Sequence, residues 1–353
     1  MPSDKPNIRN LSLPELTDAI LAGGFPKFRA SQVYDWLWKQ NAASFDAMKN
    51  IGTALSEHLN AHYHIDHLVL DSMQKSNDKT IKCGYKTIDG QIIEGVLIPT
   101  SKRMTACISS QAGCGMGCPF CATGQAGLTR NLSAAEITAQ VFAASRAMES
   151  GEMGEPMRLS NIVFMGMGEP MANYNAVLRT IRNITAPTPD GFGISARSVT
   201  LSTVGLVSGI EKLIDEGIPV TLAVSLHTPD DELRDSLVPI NTRWKVREVL
   251  VAADKYAAHT GRRYSIEYAL IKDINDHAWR ADLLGRMLKG RDAHVNLIPL
   301  NPTPGSKWTA SKPEDEKKFV EVLESYGVPV TVQDTRGREI DGACGQLAAA
   351  EKV

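Results

Sequence analysis

The chain has 353 residues and a formal net charge of −2, and 43% of its side chains are hydrophobic and 22% charged. This composition is ordinary for a globular protein with one core domain and small appendages. It excludes a transmembrane helix, because no apolar run approaches the ~20 residues that span a bilayer. The polar stretch Met1–Lys5 lacks the apolar segment of a secretory signal. We therefore expect a cytoplasmic protein without membrane contacts, whose net charge gives no sign of nucleic-acid binding.

Residues 1–66 predict a helical accessory module. Apolar residues recur at helical spacing in the segments 11–21 and 30–40, and a Gly-Gly pair and a proline separate the two segments. Three residues give the module a basic edge: Lys27, Arg29 and Lys39. We interpret this edge mainly as a solvated face, with a nucleic-acid contact as the less favoured alternative.

Residues 67–102 change in character and predict a small β extension. Two runs rich in β-forming residues, Thr80–Tyr85 and Gln91–Ile98, flank the dipeptide Asp89-Gly90. This dipeptide is a frequent hairpin turn. The extension therefore leads into the core domain as a pair of antiparallel strands.

Residues 103–333 alternate between strand and helix patterns. The predicted strands are Met104–Ser109, Asn161–Met165, Ser198–Thr203, Val220–Leu226, Tyr264–Leu270 and His294–Leu300, and helices are predicted near 133–150, 174–184, 206–216, 244–259, 277–288 and 313–326. Such alternation is typical of an α/β fold with a parallel sheet, and six βα units predict an open, partial (β/α)6 barrel. Ligands bind at the C-terminal ends of such strands. Residues 334–353 are predicted to form a C-terminal loop.

Three cysteines lie close together directly after the first predicted barrel strand. Cys114, Cys118 and Cys121 have the spacing C-x3-C-x2-C, and neighbouring glycines let the backbone wrap around a bulky group. Four thiolates saturate a [4Fe–4S] cluster, whereas three leave one iron open. The amino and carboxylate groups of S-adenosylmethionine (SAM) suit that iron. The alternative is structural zinc, with Cys107 or a histidine as the fourth ligand.

Further motifs extend this pattern over nearly the whole chain. The cysteine loop resembles that of the radical SAM superfamily, and the similarity to its RlmN/Cfr family runs from about residue 10 to residue 347. The segments that carry the similarity are Ser109–Cys114, Cys121–Gly124, Phe164–Pro170, Ser225–His227 and Gly342–Gln346. The resemblance implies a [4Fe–4S] cluster, two molecules of SAM per turnover and methylation of an adenine in RNA.

The resemblance also implies the substrates. They are an adenine at the peptidyl-transferase centre of 23S rRNA and the adenine 3′ of the anticodon in certain tRNAs, both methylated at C2. Adenine C2 is an electron-poor carbon without a nucleophilic lone pair, so it cannot displace the methyl group of SAM directly. A 5′-deoxyadenosyl radical is therefore implied, with a flavodoxin-type electron donor. We expect the enzyme to be a monomer.

One group of residues is expected to bind SAM at the ends of the barrel strands. Gly168 and Glu169 follow the apolar strand Asn161–Met165, where glycine permits close approach and the carboxylate pairs with the amino group of SAM. The resemblance assigns five more residues to SAM: Ser202, Ser225, Leu226, His227 and Asn301. Taken singly, residues 202 and 301 are more typical of caps and turns, and residue 227 of a structural histidine.

Two further cysteines are implied to handle the methyl group. Cys344 lies in a loop that flanking glycines make mobile and accessible, and Arg336 and Arg338 are expected to favour its thiolate. By resemblance, Cys344 carries the methyl group as S-methylcysteine. Cys107 then releases the product from an RNA–protein crosslink and ends in a transient disulfide with Cys344. Without the resemblance Cys107 is a buried structural cysteine, as we interpret Cys83.

Glu94 is a carboxylate in the otherwise apolar segment Ile92–Pro99. By resemblance it is a proton acceptor, whereas from the residues alone it is a charge on an edge strand. Pairs of basic residues elsewhere are interpreted as solvated helix ends. Arg336 and Arg338 are the exception, and we expect them to contact RNA because they precede the loop that carries Cys344, the reactive loop.

Three alternatives stay open. One is the C8-methylating branch of the same family, which is linked to antibiotic resistance, although Pro170 and the stretch Thr303-Pro-Gly305 favour the C2 branch. The second is a zinc-bound, non-catalytic RNA-binding protein. The third is a radical SAM enzyme with a small-molecule substrate.

Overall fold

The computed structural model describes residues 5–40, 42–65, 68–101, 103–149, 151, 156–187, 191–303 and 306–348. Four sequence features fall partly outside these ranges. Residues 1–4 of Met1–Lys5, residue 150 of the helix predicted near 133–150, residues 304–305 of Thr303-Pro-Gly305 and residues 349–353 of the predicted C-terminal loop are outside.

Three helices form the N-terminal module: α1 (Leu13–Ala22), α2 (Phe28–Trp38) and α3 (Thr53–His62). The first begins in a capping box, in which Ser12 accepts from the backbone of Glu15 and the Glu15 carboxylate accepts from the backbone of Ser12. Apolar side chains from all three helices enclose a core separate from that of the barrel. The predicted helical character is confirmed, while the division of the chain at residues 66, 102 and 333 stays a prediction.

The β extension consists of β1 (Val69–Lys75), β2 (Ile81–Lys86) and β3 (Ile92–Pro99), which pair antiparallel with each other and with β4 (Met104–Cys107). The strand β3 lies between β2 and β4, and Glu94 faces Gly84 across the β2–β3 ladder. The interpretation of Glu94 as an edge-strand charge is therefore wrong. A carboxylate in an interior strand needs partners there.

Parallel strands continue the same sheet from β4. They are β7 (Leu159–Phe164), β8 (Val199–Thr203), β9 (Thr221–Ser225), β10 (Tyr264–Leu270), β11 (Ala293–Pro299) and β12 (Val330–Val332). The sheet order is β1-β2-β3-β4-β7-β8-β9-β10-β11-β12, with β1 and β12 at its two ends. The six predicted barrel strands are confirmed, and β12 adds a seventh parallel strand. The small hairpin β5 (Gln111–Gly113) and β6 (Leu128–Asn131) stands apart from this sheet.

Helices follow the strands as expected for crossovers. They are α4 (Ala122–Ala126), α5 (Ala134–Glu149), α6 (Tyr174–Thr185), α7 (Val207–Glu216), α8 (Asp231–Leu237), α9 (Val246–Thr260), α10 (Ala278–Leu288) and α11 (Pro313–Ser325). A capping box begins α5, since the backbone of Ser133 donates to the Glu136 carboxylate at 2.8 Å and the backbone of Glu136 donates to the Ser133 hydroxyl at 3.2 Å. The short, charged helix α8 was not predicted.

The main apolar core lies between the sheet and the barrel helices. None of the described helices is long and apolar enough to cross a membrane. The C-terminal ends of β7, β8, β9, β10 and β11 meet at one rim, and the residues after these strands line a common cavity there.

Candidate active site

The three clustered cysteines occupy the loop between β5 and α4. The backbone N–H of Cys114 donates to Gly127 at 2.8 Å, and that of Cys121 donates to Cys118 at 3.1 Å, so the loop closes on itself. Burial raises the pKa of Cys114 to about 11 and also raises that of Cys118. Each of these pKa values rises further because of the neighbouring cysteines, which shows that the thiols lie close together.

This cysteine loop fits an iron–sulfur cluster. Buried thiols with raised pKa values become thiolates only beside a positive group, which the iron atoms provide. The described residues contain no group of three His, Cys, Asp or Glu side chains arranged around a single metal ion. A four-iron cluster is wider than one ion, and its thiolate ligands stand further apart. Cys114, Cys118 and Cys121 are the residues that would hold it.

Gly124 is required for the path of the cysteine loop. A Cβ atom at this position would lie 2.8 Å from the carbonyl oxygen and 3.0 Å from the nitrogen of Cys118, and both are backbone atoms. We expect Gly124→Ala to displace Cys118, to cost about 1–3 kcal/mol of stability and to lower the iron bound after anaerobic reconstitution. Iron and sulfide analysis measures this loss.

Gly115→Ala is the matched control in the same loop. Its Cβ atom would meet only the side chain of Leu128, at 3.5 Å, which is an ordinary contact. We expect this variant to bind as much iron as the unaltered protein. Equal iron content in the two variants would show that the close approach of Gly124 does not matter for the cluster.

Gly168 and Glu169 lie beside the cysteine loop, after β7. Gly168 has a φ of 98°, and a Cβ atom there would lie 2.5 Å from the side chain of Gln111. Glu169 is buried, and its carboxylate accepts from the backbones of Met171 at 2.9 Å and Val204 at 2.8 Å. Burial raises the pKa of Glu169 to about 7. A ligand group that donates hydrogen bonds, such as the amino group of SAM, would favour its ionised form.

Ser202 and Ser225 occupy the ends of β8 and β9, where their hydroxyl oxygens lie 3.2 Å apart. Both line the cavity, whereas the neighbouring Leu226 is buried and does not. The backbone N–H of Leu226 donates to Glu267 at 3.0 Å and its carbonyl accepts from Arg234 at 3.0 Å. The position of Leu226 therefore fixes the strand end on which the two serines depend.

His227 has a φ of 62°, which is rare for a residue other than glycine and typical of strained functional positions. Its Nδ1 accepts from the backbone N–H of Ala269 at 3.0 Å. Burial and the nearby Arg234 lower the pKa of His227 to about 3. The ring is therefore neutral, with its proton on Nε2, and offers the cavity a hydrogen-bond donor.

The cavity at this rim holds about 1000 Å³ of empty space and opens to solvent. It brings together ten of the thirteen residues that the sequence singled out: Cys114, Cys118, Cys121, Gly168, Glu169, Ser202, Ser225, His227, Asn301 and Cys344. Leu226, Cys107 and Glu94 are not among its lining residues. A pocket with a few polar groups in an apolar wall is typical of a cofactor site.

Cys344 is held at the cavity by its backbone neighbours. Asn301 donates from Nδ2 to the Cys344 carbonyl at 3.1 Å, and the backbone N–H of Ala122, next to the last cluster cysteine, donates to Gly345 at 2.8 Å. The reactive loop is thus tied to both the barrel rim and the cluster loop.

The expected effect of Arg336 and Arg338 on Cys344 is wrong. Burial raises the pKa of the Cys344 thiol, and neither arginine contributes to lowering it. Arg336 donates to the Pro99 carbonyl at 3.2 Å and Arg338 donates to Asn301 Oδ1 at 3.3 Å, so both side chains turn to other partners. These arginines fasten the loop rather than activate the thiol.

Cys107 ends β4 and is buried. Burial raises its pKa, and Cys344 raises it further. Both are free thiols in this structure, as is Cys83, which is buried on β2. The disulfide between Cys107 and Cys344 stays a prediction.

Glu94 lies behind the reactive loop. Lys82 Nζ is 3.2 Å from its Oε1, and both side chains are largely buried. The other oxygen accepts from the backbone of Ala348 at 3.0 Å, and Lys82 also reaches the Asp341 carbonyl at 3.5 Å. Glu94 therefore joins the β extension to the segment that carries Cys344. Sequence reasoning missed Lys82, whose strand gave no sign of this partner.

Two further buried charges were missed. Arg234, on the unpredicted helix α8, is fully buried and donates to the Leu226, Val204 and Ser225 carbonyls and to Asn241. Glu267, on β10, is buried and lines the cavity. It is a carboxylate in an apolar strand, which is the same signal that drew attention to Glu94, and applying that signal consistently would have found it.

Two family descriptions match the chain. Residues 108–283 match the Radical SAM superfamily, and residues 6–65 match the Ribosomal RNA large subunit methyltransferase N-terminal domain. The second match coincides with the helical module, and the first contains the cluster loop and the ends of β7, β8, β9 and β10 at the cavity.

Similar proteins cover nearly the whole chain. A probable dual-specificity RNA methyltransferase RlmN from Streptomyces griseus is 58% identical over 98% of this chain and 95% of that protein. The protein of the same description from Thermobifida fusca is 58% identical, with the same coverage of both chains. The crystal structure of a radical SAM methyltransferase from Sphaerobacter thermophilus is 43% identical, with a TM-score of 0.91, over 98% of this chain and 100% of that chain.

The radical SAM superfamily uses a [4Fe–4S] cluster and SAM, which agrees with the three cysteines and the cavity beside them. This match removes the zinc-bound, non-catalytic alternative. Three findings lead to one conclusion. The sequence identity to relatives exceeds one half over almost the full length, the fold matches that of a solved relative, and family descriptions match both parts of the chain. The chain belongs to the radical SAM superfamily and, within it, to the RlmN family of methyltransferases.

Proposed function

We propose that this enzyme methylates adenine C2 in 23S rRNA, at the peptidyl-transferase centre, and in tRNAs, at the adenine 3′ of the anticodon. The observation that carries the proposal is the position of Cys344, which lines the same cavity as the three cluster cysteines and Glu169. A thiol at this place serves a methyl-carrying role. The relatives described as dual-specificity RNA methyltransferases support the choice of RNA as the substrate.

The cluster and SAM, when bound, supply a 5′-deoxyadenosyl radical that abstracts hydrogen from a methyl group. The residues of the chain then have separate tasks. Gly168, Glu169 and His227 would hold SAM, with a close backbone approach, one carboxylate and one imidazole donor. Ser202 and Ser225 add hydroxyl groups at the strand ends. Asn301 fixes the backbone of the reactive loop.

Cys344 takes a methyl group from one SAM molecule and presents it to the RNA. Cys107, whose pKa is raised by Cys344, releases the product by forming a transient disulfide with it. Glu94 accepts the proton that leaves the adenine, and Lys82 holds the carboxylate toward the reactive loop. Cys344, Cys107 and Glu94 thus each have one task in the reaction other than the binding of SAM.

The cell compartment, the electron donor and the RNA-binding parts of the enzyme are inferred from its substrates. We propose a monomeric, cytoplasmic enzyme that receives electrons from a flavodoxin-type protein, since its RNA substrates are cytoplasmic. The N-terminal module (residues 1–66) contributes to RNA binding. Arg336 and Arg338, in the segment before the loop that carries Cys344, also contribute to RNA binding. The same two side chains hold this segment in place through their hydrogen bonds to Pro99 and Asn301.

A nucleoside assay tests the proposed function. The enzyme is reconstituted anaerobically and given reductant, SAM and either an unmodified 23S rRNA transcript or unmodified tRNA, and the digested nucleosides are identified by mass spectrometry. We expect 2-methyladenosine from both RNAs. Formation of 8-methyladenosine would instead place the chain in the C8 branch of the family. Formation of 5′-deoxyadenosine without any methylated adenosine would overturn the RNA substrates and favour a small molecule.

A further inference from the structure

A chain of hydrogen-bonded polar side chains connects Glu267, on β10, to Cys344. Gln333, directly after β12, donates from Nε2 to the Cys344 sulfur at 3.5 Å. Its Oε1 accepts from Asn296 Nδ2 at 3.0 Å. The same Asn296 Nδ2 donates to Glu267 Oε2 at 2.7 Å. Three neighbouring strands therefore contribute one connected path that ends on the reactive sulfur.

The path has a fixed direction. The two carboxylate oxygens of Glu267 accept from the Ser265 hydroxyl and from Asn296 Nδ2, so Asn296 turns its NH2 group toward Glu267. The second hydrogen of that group then faces Gln333, which must present its oxygen to Asn296 and its own NH2 group to Cys344. The hydroxyl of Thr331 supports the same orientation from the other side, since it donates to Asn296 Oδ1 at 3.2 Å.

The far end of the path is anchored in the sheet. Glu267 is buried and accepts from the Ser265 hydroxyl at 2.6 Å. Glu267 and Asn296 are direct neighbours in the β10–β11 register, and Asn296 and Thr331 are direct neighbours in the β11–β12 register. The strand register fixes the distance between the Glu267 and Asn296 side chains. Only the last two residues of the path, Gln333 and Cys344, lie outside the strands.

We propose that Gln333 is a positioning residue that holds the Cys344 sulfur in its methyl-accepting position, with its own orientation set by Asn296 and Glu267. This inference rests on the proposed function. In the methyl transfer, the bond between the methyl group and the sulfonium of SAM breaks, the S–C bond at Cys344 forms, S-adenosylhomocysteine leaves and the thiol proton passes to water in the open cavity. A donor on the sulfur restrains the side chain and favours the nucleophilic thiolate over the thiol.

The test measures how fast Cys344 reacts with iodoacetamide in the anaerobically reconstituted holoenzyme without RNA, by mass spectrometry of the peptide that contains it. Gln333→Glu has the same size but turns the donor into an acceptor, and we expect it to slow alkylation about tenfold, since the reactive thiolate becomes less populated. Gln40→Glu makes the same chemical change on an exposed residue after α2 and is expected to alkylate at the rate of the unaltered enzyme.

Asn296→Asp is the decisive variant because residue 296 does not touch the sulfur in this path. The new aspartate lies beside the buried Glu267 carboxylate, so the two groups share one proton between them. The aspartate oxygen then accepts on its other side, so Gln333 must turn its NH2 group toward it and its oxygen toward Cys344. We expect the same loss of reactivity as in Gln333→Glu. Slow alkylation in Gln333→Glu with an unaltered rate in Asn296→Asp would overturn the directional path, and unaltered rates in both variants would overturn the positioning role.

Two readouts separate positioning from misfolding and from a failure of the proposed function. In urea, Cys344 of every variant is expected to alkylate at one common rate, and a difference that persists there would contradict an effect of folded geometry. In the holoenzyme with saturating SAM, Gln333→Glu is expected to slow S-methylation of Cys344 while the Kd of SAM stays unchanged. The alkylation test needs no RNA, so a missing 2-methyladenosine product would reject the proposed function and leave this result intact.

Discussion

Replacement of Cys344 by alanine is expected to abolish RNA methylation, with a fall of more than about a thousandfold in rate. Alanine cannot carry a methyl group, and nothing else in the proposed mechanism can present one to the adenine. The cluster loop is anchored by its own backbone contacts, such as that of Cys114 with Gly127, so the cluster and the cleavage of SAM should persist. Iron content, 5′-deoxyadenosine and 2-methyladenosine are measured on one preparation.

Cys83→Ala is the matched control for this variant. Cys83 is a buried free thiol on β2, in the β extension, and it has no part in the proposed chemistry. We expect it to retain methylation within a few-fold of the unaltered enzyme. Methylation that continues in Cys344→Ala would show that the methyl group reaches the RNA without a cysteine carrier at this position.

Arg234→Met is expected to destabilise the protein by about 3–5 kcal/mol, because breaking a fully buried charge network leaves its partners unpaired. The guanidinium donates to the Val204 and Ser225 carbonyls, at 2.6 Å and 3.3 Å, and to Asn241 Oδ1 at 2.8 Å. It thereby fastens the ends of β8 and β9. Methionine has a similar length but offers no donor, so these acceptors lose their partners in a region without water. Denaturant unfolding measures the loss of stability.

The same variant should also weaken SAM binding. Ser225 and His227 depend on the strand end that Arg234 holds through the Leu226 and Ser225 carbonyls. Arg286→Ala serves as the control, because it removes an exposed ion pair with Asp282 one helical turn away, and such pairs contribute only about 0.3–0.5 kcal/mol. Similar unfolding free energies for the two variants would mean that the buried arginine does not hold the rim together.

The sequence allowed prediction of the strands that are buried on both faces. Segments such as β9 and β10 are short, apolar and bounded by turn residues, which is the pattern of a parallel barrel strand. Two strands at the ends of the sheet were missed. The strand β1 is mostly exposed and polar, and β12 has three residues, two of them exposed, so neither carries an apolar signal. The helix α8 was missed because it has only seven residues and one of its two buried side chains is an arginine, which leaves no apolar stripe.

The site was predictable where its residues form contiguous motifs. The cluster cysteines and Gly168-Glu169 stand in such motifs, and the structure places them around one cavity. Contacts between distant segments were not predictable in this way. Gln333 and Glu267 come together only through Asn296, across three strands, and each is an unremarkable polar residue in its own segment. Nearness in sequence was also misleading for Arg336, which precedes Cys344 but turns to Pro99.

The central claim is that the methyl group reaches the RNA through Cys344. The most direct test loads Cys344 with a deuterated methyl group, removes free SAM, then adds unlabelled SAM and RNA and determines the mass of the methylated adenosine from the first turnover. The account predicts that the first product carries deuterium from the protein. An unlabelled first product, with the deuterated methyl group still on Cys344, would contradict it.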